Sequence, residues 1–388
     1  MTKIITQTQD LENFCNHLKT KKWLTVDTEF IREKTYCPEL CLIQAASDEQ
    51  EVLIDPLAKE LDLNAFWKVL ADKNIVKILH AASQDLEIFY HQSSYGVCNI
   101  FDSQIAAQAL GYGESIGYDR LVEDICGVVL DKSSRHTDWR LRPLSDKQKI
   151  YAIADVTYLR DVYLNLQQRL AQKGRLAWIE EEIANQCNKN RFQRNPSETY
   201  LRIKIRNPKR KSLVVLQELA AWRDDEAYRR NIPRQFVVKD ETLINLAILQ
   251  PRDKKALAQI RTVSEKQANG KQGEIFLSLI DKALNRPKES WPEVKKVIRL
   301  GKKDKTAIEL LKTLLRVVAE ENELTSHLIA NNDDIYKLAT QKEEANIACL
   351  KGWRGEIFGQ KALDLLEGKI ALALHKGNIR FVRVSFVG

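Results

Sequence analysis

The segment WLTVDTEF, residues 23–30, is apolar enough to be a buried strand, yet it carries two carboxylates, Asp27 and Glu29. Side chains two apart on a strand point to the same face. Two acids therefore stand side by side at the end of an apolar strand, where like charges repel and burial is costly. The fold has to bring a cation to that strand end, and this requirement constrains the chain more than any other feature.

The first ~200 residues alternate strand-like and helix-like segments, as expected for a mixed sheet with helices packed on it. Besides 23–30, strands are expected at LCLIQAAS (40–47), EVLIDP (51–56), IVKILHAA (75–82) and CNIFDS (98–103). The first three are joined by short connections and read as an antiparallel meander. Helices are expected at 64–72, 83–92, 103–110, 118–130 and in a long run over 145–174.

From about residue 205 the strand patterns vanish. RNPKRKS (206–212) and NRPKESWP (285–292) read as linkers between helical segments. A weak repeat spans the second linker. GEIF occurs at 273–276 and again at 355–358, and FVVKDETLINLA (236–247) parallels LIANNDDIYKLA (328–339). Two small helical domains are the simplest account. The expected boundaries are 1–205 for an α/β domain, 206–290 for a first helical domain and 291–388 for a second, divergent one.

Charge divides in the same way. Residues 1–200 hold 24 Lys/Arg against 29 Asp/Glu, and the remainder hold 37 against 24. A cation-binding module beside an anion-gripping one would have this asymmetry. No run of eighteen apolar residues and no secretory signal pattern is present, and the seven cysteines include no C-x-x-C pair. The expectations are a cytoplasmic monomer, no membrane association, reduced thiols and no zinc site.

Three more positions are suited to join the acidic pair. Asp85 falls in the first turn of a helix that follows the strand 75–82. An acid there also simply complements the helix dipole. Ser145 and Gln148 form a capping box that starts a helix, and four residues apart on it Tyr151 and Asp155 share one face. Asp155 interrupts an apolar stretch, so it is either a metal ligand or a core carboxylate satisfied by hydrogen bonds. Carboxylates converging in this way suit hard divalent cations. Two ions about 3.5–4 Å apart stabilise the attacking and leaving oxygens of a phosphodiester displacement.

Asp27-x-Glu29, Asp85 and Tyr151-x-x-x-Asp155, in that order and on those elements, resemble the motifs of the DEDD exonucleases, in the branch with a tyrosine before the last aspartate. The histidine branch would place His where this chain has Ile150. DTEFIREKTYCPELCLIQ (27–44), HAASQDLEIF (80–89), WRLRPLS (139–145) and the helical repeats extend the resemblance to the ribonuclease D family, with a tandem pair of HRDC domains. AAWRDDEAYRRNIPRQFVVKDETLINLA (220–247) carries the first of these, and the second, 305–375, rests on the repeat.

The resemblance implies a ribonuclease H-like α/β nuclease domain followed by two all-α domains. It implies a 3′–5′ exoribonuclease that releases nucleoside 5′-monophosphates and uses two Mg²⁺ or Mn²⁺ ions, with transfer RNA precursors as substrate. Asp27, Glu29 and Asp155 would hold the ion that activates water, Asp27 would bridge to a second ion supported by Asp85, and Tyr151 would position the water. A DNA exonuclease of the same superfamily, or a metal-free nucleic-acid adaptor with a decayed site, are the alternatives.

Arg135, Arg140 and Arg142 precede the helix bearing Tyr151 and are candidates for phosphate contact, as are Lys209, Arg210 and Lys211 in a basic stretch that is otherwise a solvated linker. Trp139 either stacks on a base or packs. His136 is a further candidate, and His80 reads as a structural hydrogen-bonder.

Overall fold

The computed structural model describes residues 3–294 and 301–384. The expected segment 291–388 therefore lies partly outside the described residues. The chain forms two compact units. The first comprises residues 1–29, 41–189 and 298–388, and the second comprises 30–40 and 190–297.

The six strands of the main sheet are β1 (Lys3–Ile5), β2 (Trp23–Ile31), β3 (Glu39–Ala46), β4 (Glu51–Ile54), β5 (Val76–Leu79) and β6 (Ile100–Asp102), in spatial order β1-β4-β3-β2-β5-β6. β3 and β4 pair antiparallel, while β2–β5, β5–β6 and β1–β4 are parallel. Central β2 is buried along Leu24, Thr25 and Val26, as a strand covered on both faces must be. Edge strand β1 is only three residues long, too short to show a period in sequence.

Eight helices surround the sheet: α1 (Thr8–Leu18), α2 (Asn64–Leu70), α3 (Ser83–Gln92), α4 (Ser103–Ala109), α5 (Tyr118–Cys126), α6 (Asp146–Thr157), α7 (Leu159–Gln172) and α8 (Leu176–Gln186). The long helical run expected over 145–174 is broken at Tyr158 into α6 and α7. α6 starts on the capping box, with Ser145 and Gln148 satisfying each other's backbone N–H groups. Phe101, Ala107, Leu121, Val162 and Leu166 fill the core between β6, α4, α5 and α7.

The first unit also contains a helical bundle after residue 301. Its core includes Leu311, Leu314, Val318, Ile335 and Phe358. Trp353 stacks on Trp178 at 4.3 Å with planes 10° apart, and Arg175 donates to the Asn322 carbonyl at 2.7 Å. At Gly111, with φ of +91°, any Cβ would lie 2.4 Å from the Glu323 carbonyl oxygen. The backbones touch there because no side chain intervenes. Strands return at the end of this unit, contrary to the all-helical expectation. β7 (Ile370–His375) and β8 (Asn378–Arg383) form a hairpin around Lys376 and Gly377, both at positive φ.

In the second unit α9 (Arg210–Arg229), α10 (Arg234–Val237), α11 (Asp240–Leu249), α12 (Lys254–Ala258), α13 (Glu265–Asn269) and α14 (Lys271–Leu284) enclose Val214, Leu219, Leu246, Phe276 and Ile280. The unit begins at 190 rather than 206, because Ile203 is buried in this core and Tyr200 packs against it. Helix α9 already starts inside the expected linker. Residues 30–40 also belong here. The Tyr36 hydroxyl donates to Asp224 at 2.8 Å and accepts from Arg234 at 2.7 Å, and Asn231 Oδ1 accepts from the Tyr36 and Cys37 amides.

The two repeats share a local construction. α11 and the helix Asn332–Gln341 are each entered through a four-residue helix and two extended residues, Val238–Lys239 and Ala330–Asn331 respectively. Each GEIF glycine presses on preceding backbone. A Cβ at Gly273 would lie 2.1 Å from the Ala268 carbonyl oxygen, and one at Gly355 would lie 2.9 Å from that of Leu350. The repeated glycine therefore marks a repeated close approach.

Candidate active site

β2 presents Asp27 and Glu29, the first turn of α3 presents Asp85, and α6 presents Tyr151 and Asp155. Three segments distant in sequence are thus brought to one strand end. Desolvation holds the Asp27 carboxyl well above the usual carboxylate range, and Asp85, Asp155 and Glu29 push it in the same direction. Glu29 is raised to about 9 by burial, then by Asp155 and Asp85. Burial raises Asp85 and Asp155 to about 7. In each case burial is the largest cause, because it penalises the charged form. The cation that does act on Glu29 and Asp155 is Arg135.

Each acid has a local reason for its position. The Thr25 hydroxyl lies 3.2 Å from the Ala46 carbonyl oxygen and 3.0 Å from that of Val156, linking β2 to β3 and to the turn of α6 that carries Asp155. The Thr28 hydroxyl donates to Asp85 Oδ1. Tyr118 donates to the Ala154 carbonyl at 3.0 Å and fixes the same stretch of α6 from the other side. Tyr151 hydrogen-bonds Asp155, and its own phenol is raised above the ordinary range by burial and by the neighbouring carboxylates. It stays protonated, donating to Asp155 and leaving an oxygen lone pair to accept from water.

Sequence reasoning missed Asp102. Its fully buried carboxylate accepts from the amides of Ala81 (3.0 Å) and Ala82 (2.9 Å) at the entry to α3, from Gln104 (2.9 Å) at the start of α4, and from Gln186 Nε2 (2.9 Å). It fixes the turn that delivers Asp85, in which Ala81 adopts φ of +55°. The legible signal was Asp-Ser at a strand-to-helix junction, an N-cap pattern. α3 itself starts after Ala82 with no side-chain cap.

The basic candidates separate. Arg135 is exposed and acts on the acids. Arg140 forks onto Asp138 at 2.9 and 2.8 Å. Arg142, expected at phosphate, has another role. It pairs in bidentate fashion with the buried Asp55 at 2.6 and 2.7 Å and donates to the carbonyls of Cys41, Trp139 and Leu141. Arg210 donates to the carbonyls of Lys288 and Trp291, whereas Lys209 and Lys211 are exposed. Trp139 is 2% exposed and packs 6.0 Å from the Tyr151 ring, so it braces the tyrosine and is not open to a base. His136 is exposed. His80 sits between Ser103 Oγ (2.9 Å) and the Ile116 carbonyl (3.0 Å), the structural role expected of it.

Among the described residues no group of three or more His, Cys, Asp or Glu side chains is arranged, as it stands, so that it could hold a metal ion. An all-oxygen, mutually repelling set fits a hard divalent ion that keeps water and substrate oxygens among its ligands.

Residues 2–171 match the 3′-5′ exonuclease family, and residues 212–280 match the HRDC domain. Ribonuclease D of Bartonella henselae is 42% identical over 98% of this chain and 93% of its own length. Ribonuclease D of Zymomonas mobilis is 41% identical over 98% of both. The crystal structure of Escherichia coli RNase D, described as an exoribonuclease involved in structured RNA processing, superposes with a TM-score of 0.82 at 30% identity, covering 95% of this chain and 99% of that one.

Proposed function

The chain belongs to the ribonuclease D family of metal-dependent 3′–5′ exoribonucleases, and on that premise we propose that it trims transfer RNA precursors by a two-metal-ion hydrolysis centred on Asp27, Glu29, Asp85, Tyr151 and Asp155. The observation that carries this reading is the convergence of four carboxylates at one strand end, where Asp85 and Asp155 raise the proton affinity of both Asp27 and Glu29.

Asp27, Glu29 and Asp155 would hold one Mg²⁺ or Mn²⁺, and Asp27 and Asp85 a second. Bound there, the pair would stabilise the attacking and the leaving oxygen of the in-line displacement. Tyr151 accepts a hydrogen bond from the attacking water and fixes its direction. Packing against Trp139 and the hydrogen bond to Asp155 hold the phenol still. The water oxygen bonds to the terminal phosphorus and the P–O3′ bond breaks. The shortened RNA keeps a 3′ hydroxyl and a nucleoside 5′-monophosphate departs. Arg135 would contact the phosphate at this centre, and Lys209 and Lys211 would contact RNA phosphates on the second unit. The bundle after residue 301 is read as a second, divergent HRDC domain. A monomer working in the cytoplasm completes the proposal.

The test is a time course on a 5′-labelled transfer RNA precursor with a short 3′ tail, run with Mg²⁺, Mn²⁺ or chelator. A ladder shortening from the 3′ end is expected, abolished by chelator and by Asp155→Asn, and slowed by a 3′-phosphate. Shortening that survives Asp155→Asn would place the chemistry elsewhere.

A further inference from the structure

A cleft of about 450 Å³ in the second unit lies outside every residue assigned above. Its size falls within the roughly 300–1,000 Å³ of small-ligand sites. The walls come from residues 32–36 and from the helical core of the same unit, with four arginines (Arg32, Arg202, Arg223 and Arg234) against Glu33 and Asp240. Asp240 is already matched by Arg223 at 2.6 Å. Arg202 is exposed and makes no ion pair among the described residues.

Two further features mark the wall of this cleft. Arg223 is only 4% exposed, yet its Nε has no hydrogen-bond partner among the described residues, and the Thr35 hydroxyl is likewise buried and unmatched. Buried donors left unpaired cost free energy, and both belong to residues that line the cleft. Phe236, on the cleft wall, is 65% exposed. A large ring in water beside guanidinium groups is the combination with which proteins grip single-stranded nucleic acid, the ring stacking on a base and the cations tracking phosphate.

We propose that this cleft binds one nucleotide unit of a single RNA strand, with Phe236 stacking on the base and Arg202 contacting the phosphodiester. The inference rests on the exoribonuclease reading for the identity of the strand, and it adds a subsite remote in sequence from the carboxylates. The pairing of Arg234 with Asp224 and Tyr36 is the scaffold that keeps the cleft open, with Asp224 wholly buried beneath it.

The experiment is fluorescence anisotropy of a short 5′-labelled single-stranded RNA on the full chain, with chelator present so that nothing is cut, across a series of potassium chloride concentrations. Arg202→Glu should weaken binding about tenfold and lower the slope of log K against log salt by about 1. Phe236→Ala should weaken it about fivefold or more with the slope unchanged. Lys255→Glu, a charge reversal at an exposed lysine elsewhere in this unit, should stay within about twofold. Wild-type affinity in both cleft variants would overturn the proposal. If they also lost binding of adenosine 5′-monophosphate, the cleft would be a site for free nucleotide rather than for a strand. With Mg²⁺ present, the control variant Lys255→Glu should cleave a dinucleotide at the wild-type rate. Failure of the wild type itself to cleave would sink the exonuclease reading and leave the binding result standing.

Discussion

Arg142→Ala separates two roles for one arginine. If Arg142 were a phosphate contact, its loss would weaken RNA binding and reduce the salt slope while leaving stability alone. The structure gives it five hydrogen bonds within the protein: two to Asp55, whose side chain is 9% exposed, and three to backbone carbonyls. Removing one member of a buried pair typically costs about 3–5 kcal/mol, because the remaining charge is stranded. Arg142 keeps 26% of its side-chain surface in water, which argues for the lower end, about 3 kcal/mol. Asp55 retains one donor, the Leu57 amide at 3.0 Å, so it is not left wholly bare. Urea unfolding followed by tryptophan fluorescence measures the loss. Asp55→Asn in the Arg142→Ala background should then cost little more than the single change, since the stranded charge is gone. A loss under about 1 kcal/mol, or a fall in RNA affinity with stability intact, would refute the assignment.

Gly111→Ala should destabilise the protein by about 1–3 kcal/mol, read as a lowered Tm, because the new methyl meets the Glu323 carbonyl and the backbone is left-handed there. Thr28→Val removes the hydroxyl donated to Asp85, and kcat should fall about tenfold with RNA affinity in chelator unchanged. In the metal-free protein, Asp85 and Asp155 near 7 and Glu29 near 9 lie above the roughly 4 of an unfolded chain. The stability these groups lend is therefore whole below about pH 4 and is lost as pH rises through 7 to 9. In chelator the Tm of the wild type should fall relative to that of Asp155→Asn between pH 5 and 9, and added Mg²⁺ should raise the wild type more at the alkaline end. A constant difference between the two would contradict the sign.

The site was legible because its chemistry conflicts with its surroundings. Asp27 and Glu29 in a Val/Leu strand, and Asp155 among alanines and isoleucine, violate the apolar pattern that placed them, and the same pattern located β2 to β6. Asp102 escaped because its work is entirely local hydrogen bonding, which leaves no charge anomaly in the sequence. Arg142 was misread for the converse reason. Three arginines in one loop look alike, and only the fold shows that one of them faces the buried Asp55. The β7–β8 hairpin had a signal, Lys-Gly between alternating apolar residues, but it lies behind a long helical stretch that set the wrong period. The reach of residues 30–40 into the second unit could not be read at all, since the partners of Tyr36 lie nearly two hundred positions away.

That reach bears on modularity. The second unit is built from two separate stretches of chain, and the shorter one interrupts the nuclease immediately after Glu29. Cutting the gene at residue 189 or 205 would therefore not subtract a domain. It would leave an eleven-residue excursion whose tyrosine has lost its aspartate and arginine, attached directly to the strand that carries Asp27 and Glu29. Nuclease defects in such truncations would report a frayed strand rather than a missing RNA grip. A deletion that replaces residues 30–40 with a short turn as well is the version that tests what the helical unit contributes.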